Sequence, residues 1–196
     1  MIPLVLASRS RVRARLLTDA GVAFEAIDSG FDEACAKKRL AQGSPAEVAA
    51  ALAGEKSLAG SARRPEALVI GADQTLEAEG RLFDKASSLG EARERLTLLR
   101  GGAHQLHSAA AVARDGEIVW RRAESATLVM RAFSDAFLDA YLARNARAAL
   151  TSVGGYELEG EGVQLFERIE GDYFAILGLP LVGLLGFLRE AGALAA

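Results

Sequence analysis

The sequence predicts an α/β protein: a two-lobed mixed β-sheet flanked by helices, with a cleft between the lobes. Three observations carry this. Leu4-Val5-Leu6-Ala7 and Ala67-Leu68-Val69-Ile70 are unbroken apolar runs, the pattern of short strands buried on both faces. A capped helical segment neighbours each run, so the chain opens as strand, helix, strand. Later, Gln105 to Ala113 and Glu117 to Met130 are strand-rich and meet at Asp115-Gly116, a strong hairpin signal. Combining crossover units with a long hairpin calls for a mixed sheet. No repeat or linker interrupts residues 1–196, which read as one domain with two lobes and no separable linker.

The elements follow in order. After the first strand, Ser10 is a good N-cap for a helix over Arg11 to Ala20, and Gly21 is its stop. Val22 to Ile27 reads as a second strand. Ser44-Pro45-Ala46-Glu47 is a capping box with Pro at the first helical position. Its helix carries Val48, Leu52 and Lys56 at i, i+4, i+8, which puts Lys56 on the apolar stripe. A lysine there either snorkels to solvent or reaches a buried anion, and spacing alone favours the snorkel. The central strand ends its apolar run at Gly71-Ala72-Asp73-Gln74, and Glu79-Gly80 turns the chain back towards Lys85. Ser88-Leu89-Gly90-Glu91 reads as another capping box for a helix ending at Gly101. Ser134 caps a helix over Asp135 to about Ala143, with Phe133 and Leu138 spaced as a hydrophobic staple. Glycines 154, 155, 160, 162, 171 and 178 then punctuate a loop-and-strand segment before Pro180 opens a helix to about Glu190.

Composition excludes several classes of function. With 51% hydrophobic and 25% charged residues, the chain has a globular rather than a disordered profile. Its formal net charge of −3 argues against stable nucleic-acid binding through phosphate neutralisation. Cys35 is the one cysteine, so no internal disulfide marks the chain as secreted, and it lacks a cysteine-enzyme context. The apolar start resembles a signal peptide only superficially, because it has no basic region and Arg9 follows at once. No apolar run approaches the ~18 residues needed to span a bilayer. The expected location is the cytoplasm, with no membrane partner.

Asp73 is the residue on which the chemistry turns. An acid at the C-terminal end of a buried strand stands where open α/β sheets place ligands. It is either a solvent-facing turn acid or one with a cation or proton to hold. Glu33, Asp84 and Glu159 are further acids, and Arg11, Arg13, Lys56 and Lys85 the matching cations. Carboxylates with several cations suit a metal–polyphosphate ligand: Mg²⁺ takes one or two protein carboxylates and leaves other positions to phosphate and water. No Walker-type loop is present, but the turn Ala7-Ser8-Arg9-Ser10 entering a helix can bind phosphate through N–H groups and hydroxyls. His104 and His107 lack a Cys cluster and read as a hydrogen-bonded or solvated pair rather than a zinc site. A Ser8 or Ser10 nucleophile would need a G-x-S-x-G elbow, which is absent.

Leu6-Ala7-Ser8-Arg9-Ser10 with Arg13 and Leu16-Leu17, Phe31-Asp32-Glu33, Leu52 to Lys56, Ile70-Gly71-Ala72-Asp73 with Lys85, His104, Gly155-Tyr156, Gly160, Arg168-Ile169-Glu170-Gly171 and Gly178-Leu179-Pro180-Leu181 occur in that order. Together they make the chain similar, nearly end to end, to the Maf family of nucleoside triphosphate pyrophosphatases, also called septum-formation proteins. The resemblance implies a fold of the Maf and inosine-triphosphatase kind, often dimeric. It implies hydrolysis of a nucleoside triphosphate to the monophosphate and pyrophosphate, with Mg²⁺ or Mn²⁺. By position, Asp73 matches the general base and also a metal contact, Glu33 a metal-site acid, and Ser8, Arg13, Lys56 and Lys85 phosphate-binding residues. Two other readings stay open: an inosine or xanthosine triphosphatase, and a non-catalytic nucleotide-binding regulator of cell division.

The chain departs from the family pattern where the base is selected. Ser10-Arg11-Val12-Arg13 stands for the usual Ser-Pro-Arg-Arg, so Val12 replaces an arginine associated with pyrimidine triphosphates. Gln74 and Glu159 stand where Thr and Gln are usual, and in this they resemble the subfamily acting on 7-methyl-GTP, which carries Trp at the Val12 position. A carboxylate accepts only, and so suits the N1–H and N2–H₂ edge of guanine. Facing the oxygens of uracil or thymine it would be penalised. The expected preference is for guanine-type or modified purine triphosphates.

Overall fold

The structure, a computed structural model, describes residues 2–195. The elements run β1 (Leu4–Ala7), α1 (Arg11–Asp19), β2 (Glu25–Ile27), α2 (Glu33–Arg39), α3 (Pro45–Ser61), β3 (Leu68–Ala78), β4 (Arg81–Phe83) and α4 (Leu89–Leu99). They continue with β5 (Ala103–Arg114), β6 (Glu117–Met130), α5 (Asp135–Arg144), α6 (Ala146–Thr151), β7 (Phe166–Glu170), α7 (Tyr173–Ile176) and α8 (Leu181–Glu190). Among the described residues the strands form one seven-stranded sheet in the order β2-β1-β3-β5-β6-β7, with β4 also on β3. β1 is parallel to both β2 and β3, whereas β3–β4 and β6–β7 are antiparallel. The mixed α/β architecture is therefore the one the sequence predicts.

The predicted caps hold, with informative differences. Ser10 Oγ accepts from Arg13 N, and Ser44 with Glu47 forms the full reciprocal box. At Ser88 the box is incomplete: Ser88 Oγ accepts from Glu91 N, but the Glu91 carboxylate reaches back to Ser87 N. The second strand is shorter than expected. Val22 donates its N–H to Leu17 O and Gly21 donates to Thr18 O, with Gly21 at φ +72°, so Val22 closes the end of α1 instead of starting a strand. Both two-residue turns, Glu79-Gly80 and Asp115-Gly116, have φ near +50° to +80° at both positions, as tight hairpins require. The loop-and-strand segment before Pro180 holds the strand β7 as expected, with the short helix α7 in addition, and α6 precedes it.

The chain divides into two compact units. The first comprises residues through Gln74, His107–Glu124 and the chain from Asp172 onward. Its core follows the alternation of β3. Leu68, Ile70 and Ala72 pack with Leu4, Leu6, Leu16, Leu17 and α8 residues Leu184 and Leu188. Val69 faces the other way with Val5 and Ala7, on the α3 side. On that side α3 lies unusually close to the sheet. A Cβ at Gly71 would run into Ala53 O and Ser57 N of α3, and one at Gly60 would lie 2.9 Å from Ala7 Cβ. Small residues on both partners are what permit the approach.

The second unit comprises Thr75–Leu106 and Ser125–Gly171. Leu96 of α4, Leu138 and Tyr141 of α5, Ala149 of α6 and Leu128 of β6 are fully or almost fully buried in it. Buried Arg95 donates to Val153 O at 2.8 Å and pairs with Glu91 at 3.2 Å. His104 Nε2 and the Tyr156 hydroxyl are 2.6 Å apart, so His104 is a hydrogen-bonded core histidine, one of the two forms expected. Burial lowers its pKa to about 4, so it is neutral at physiological pH.

Candidate active site

β3 does not end at Asp73. It continues through Ala78, where it pairs with β4, so Asp73 is a mid-strand residue and not the strand-terminal acid that the apolar run suggested. The apolar pattern stops at Gly71 because the neighbours change there, not because the strand does: β1 pairs with β3 only as far as Ile70. Asp73 is 5% exposed, which excludes the turn-acid reading.

A buried carboxylate needs a partner, and α3 supplies it. Asp73 shares the sheet face of Gly71, where α3 approaches most closely, and Lys56 Nζ lies 2.5 Å from Asp73 Oδ1. Lys56 does not snorkel, contrary to what its spacing favoured; its side chain is 12% exposed and ends on two anions. The second is Glu33, whose Oε2 is 2.7 Å from the same Nζ. Glu33 opens α2, a helix the sequence reading did not assign, although Asp32 is its N-cap and accepts from Cys35 N at 3.0 Å. Lys37, one turn on, pairs with Glu33 Oε1 at 3.0 Å. The Glu33–Lys37 spacing was the available signal for that pair. Burial pushes the Glu33 carboxyl up, but hydrogen bonds and charge from Lys56 and then Lys37 outweigh it and hold the group at about 2. Lys56 engages Asp73 through Oδ1.

Around the same level of β3, the first turn of α1 makes a second cluster. Ser8 Oγ accepts from Ser10 N at 3.2 Å and from Arg13 Nη1 at 3.4 Å. With both lone pairs used, its remaining capacity is the O–H donor, the form that suits a phosphate oxygen. Arg13 donates from Nε to Gly178 O at 2.8 Å and from Nη1 to Ala72 O at 2.9 Å. It thereby ties the α1 turn to β3 and to the segment before α8. These bonds use Nε and Nη1 of the guanidinium. Burial pulls the guanidinium down from its ordinary value, opposed by the charges of Asp73 and Glu33.

Gln74 points to the opposite face from Asp73. Its Nε2 donates to Ile176 O at 2.8 Å and lies 2.9 Å from Ser108 Oγ, which itself donates to Ala175 O at 2.6 Å. Gln74 thus fastens the end of α7, and the use of its amide on backbone carbonyls was not legible from its position after Asp73. Val12 is half-buried against the α1–α8 core. The structure therefore brings Ser8, Val12, Arg13, Glu33, Lys56, Asp73 and Gln74 into the first unit. Lys85 and Glu159 belong to the second, where both are exposed.

The donor set fits a small divalent cation. Two carboxylates contact one ammonium, Glu33 at 2.7 Å and Asp73 at 2.5 Å. Among the described residues there is no cluster of three or more His, Cys, Asp or Glu disposed to hold a metal. Two hard oxygen donors, with water and phosphate completing the shell, is the pattern of Mg²⁺ rather than of zinc.

The family comparison decides the lineage: a family model described as Maf-like protein matches residues 3–191. This chain belongs to the Maf-like family. It is 59% identical over 196 residues to a nucleoside triphosphate pyrophosphatase of Caulobacter vibrioides, covering 99% of this chain and 98% of that one. It is also 50% identical to a 7-methyl-GTP pyrophosphatase of Rhizobium meliloti, over 98% of each chain. A 7-methyl-GTP pyrophosphatase of Rhizobium etli is 47% identical over 97% of each. Among the described residues of this Maf-like chain, no helix is long and apolar enough to cross a membrane.

Proposed function

We propose that this chain is a nucleoside triphosphate pyrophosphatase, cleaving a (d)NTP into its monophosphate and pyrophosphate. The observation that carries the reading is the ammonium of Lys56 held between Glu33 and Asp73. Relatives named for the same reaction support it.

Water attacks the α-phosphorus, and the bond from that phosphorus to the oxygen bridging to the β-phosphorus breaks. Asp73 takes the proton of the attacking water through a carboxylate oxygen. Ser8 donates its hydroxyl to a phosphate oxygen, and Arg13 offers Nη2 from a guanidinium already fastened at Nε and Nη1. Lys56 neutralises charge that moves onto the departing pyrophosphate, and Lys85 is proposed as a phosphate ligand from its place in the family pattern alone. Glu33 and Asp73 are the residues that would hold Mg²⁺ or Mn²⁺, which when bound supplies further neutralisation of the phosphates.

For the base, the proposal is a preference for guanine-type nucleotides, including 7-methyl-GTP. Glu159 accepts from the N1–H and N2–H₂ edge, Val12 removes the arginine associated with pyrimidines, and Gln74 acts through the segment it fastens. The two relatives named 7-methyl-GTP pyrophosphatase favour it.

The test is pyrophosphate release from a panel of canonical and modified triphosphates with Mg²⁺ or Mn²⁺. Asp73→Asn keeps an oxygen for Lys56 and is expected to fold, while losing about 10²–10⁴-fold in turnover. Release that is absent from the wild type, or unchanged in the variant, would sink the assignment.

A further inference from the structure

Lys56 has a role beyond contacting phosphate. Its Nζ lies 2.5 Å from Asp73 Oδ1 and 2.7 Å from Glu33 Oε2, the two acids to which the proposed function assigns the divalent ion. The ammonium therefore occupies the position from which a cation can contact both carboxylates. α3 packs backbone against backbone on β3 at Gly71, with no room there for even a Cβ. The side chain, on a flexible four-carbon stem, is the part that can swing away, and with 12% exposure it needs another anion to go to. Two of the three ammonium hydrogens face these acids; leaving them for water alone would uncouple a buried pair.

We propose that Lys56 is the resident cation of the Glu33–Asp73 pair, and that the phosphates of an incoming nucleotide must draw it off before a divalent ion takes both carboxylates. The inference rests on the reading of Glu33 and Asp73 as metal ligands. Its consequence is reciprocal coupling: nucleotide tightens the metal, and metal tightens the nucleotide by the same factor. Without nucleotide, the lysine competes with the metal for the two acids.

The experiment is Mn²⁺ binding to the full chain, followed by electron paramagnetic resonance of the free ion and by calorimetry. It is run with and without a triphosphate carrying a methylene group between the α- and β-phosphorus. In the wild type the analogue should tighten Mn²⁺ by about 5–150-fold, the usual span of coupling between two sites. Lys56→Gln should bind Mn²⁺ without nucleotide more tightly than the wild type by a similar factor and lose most of the tightening. Lys56→Arg keeps the charge and should show no gain. Lys37→Gln removes the other charge paired with Glu33, at Oε1, and should change the affinity less than about twofold. Lys56→Met serves if Lys56→Gln does not fold, as judged by circular dichroism.

Equal or weaker Mn²⁺ binding by Lys56→Gln overturns the proposal, as does an equal gain in Lys37→Gln, which would mean a general field effect. The underlying metal assignment has its own control. If Glu33→Gln and Asp73→Asn leave Mn²⁺ binding to the nucleotide-loaded protein unchanged, the ion is held elsewhere and that assignment fails as well.

Discussion

Arg13 and Gly178, 165 positions apart in the sequence, are joined by a 2.8 Å hydrogen bond from the Nε of one to the carbonyl of the other. The same guanidinium reaches Ala72 O at 2.9 Å, next to the acid that carries the proposed chemistry. Arg13 is thus both a candidate phosphate ligand and the tie that sets its own position. A lysine ammonium cannot reproduce the fork. Arg13→Lys is expected to raise KM for the triphosphate and to cost about 1.5–3 kcal/mol of transition-state binding in kcat/KM. A variant with wild-type kcat/KM would show that the fork is dispensable.

Gly71 controls a distance it does not itself span. A methyl group there meets the backbone of α3 at Ala53 and Ser57, which no side-chain rotation relieves. Gly71→Ala should destabilise the protein by about 1–3 kcal/mol in urea titration. Its effect on rate should be larger, about 10²-fold for a displacement of Lys56 by 1 Å. Loss of stability with full activity would mean that the Lys56–Asp73 contact tolerates a shifted helix.

His104 supplies a pH dependence. Its folded-state pKa of about 4 lies below the ordinary 6.5, so between these values the unfolded chain binds more protons than the folded one. The associated stability is complete above pH 6.5 and is lost as pH falls towards 4, by roughly 3 kcal/mol in all. Thermal melts from pH 7 to pH 4.5 should fall steeply for the wild type. They should fall less for His104→Gln, which keeps a partner for the Tyr156 hydroxyl. Parallel curves for the two proteins would place the acid sensitivity elsewhere. Glu33, held at about 2, contributes in a lower window, below about 4.5.

Glu159 tests the base preference. Glu159→Gln should shift kcat/KM for guanine-type nucleotides against UTP or dTTP by about tenfold or more, the equivalent of one charged hydrogen bond. An equal loss on every base would assign Glu159 to something other than base reading.

What could be read from the sequence was local. Ser10, Ser44 and Ser134 cap helices where their spacing said they would, because capping uses groups within a few residues. Asp73 stands out in the sequence and is buried against Lys56 in the structure, yet its strand runs on past the point the apolar run marks. The apolar run reports burial on both faces, and β3 continues beyond it by pairing with β4. The destination of Lys56 was beyond local reasoning. It depends on helix–sheet proximity set by Gly71 and Gly60, and a hydrophobic stripe says which face is inward but not how near the neighbour lies. Gln74 is similar: its partners, Ala175 and Ile176, lie about a hundred residues away.

Cys35 stands two residues after Glu33 on α2 and is exposed. It is also the chain's one thiol. A fluorophore or spin label attached there reports on the helix that carries Glu33, with no background from other sites and no need to strip cysteines first. Comings and goings of ligand at the Glu33–Asp73 pair can therefore be timed by spectroscopy in an otherwise native sequence.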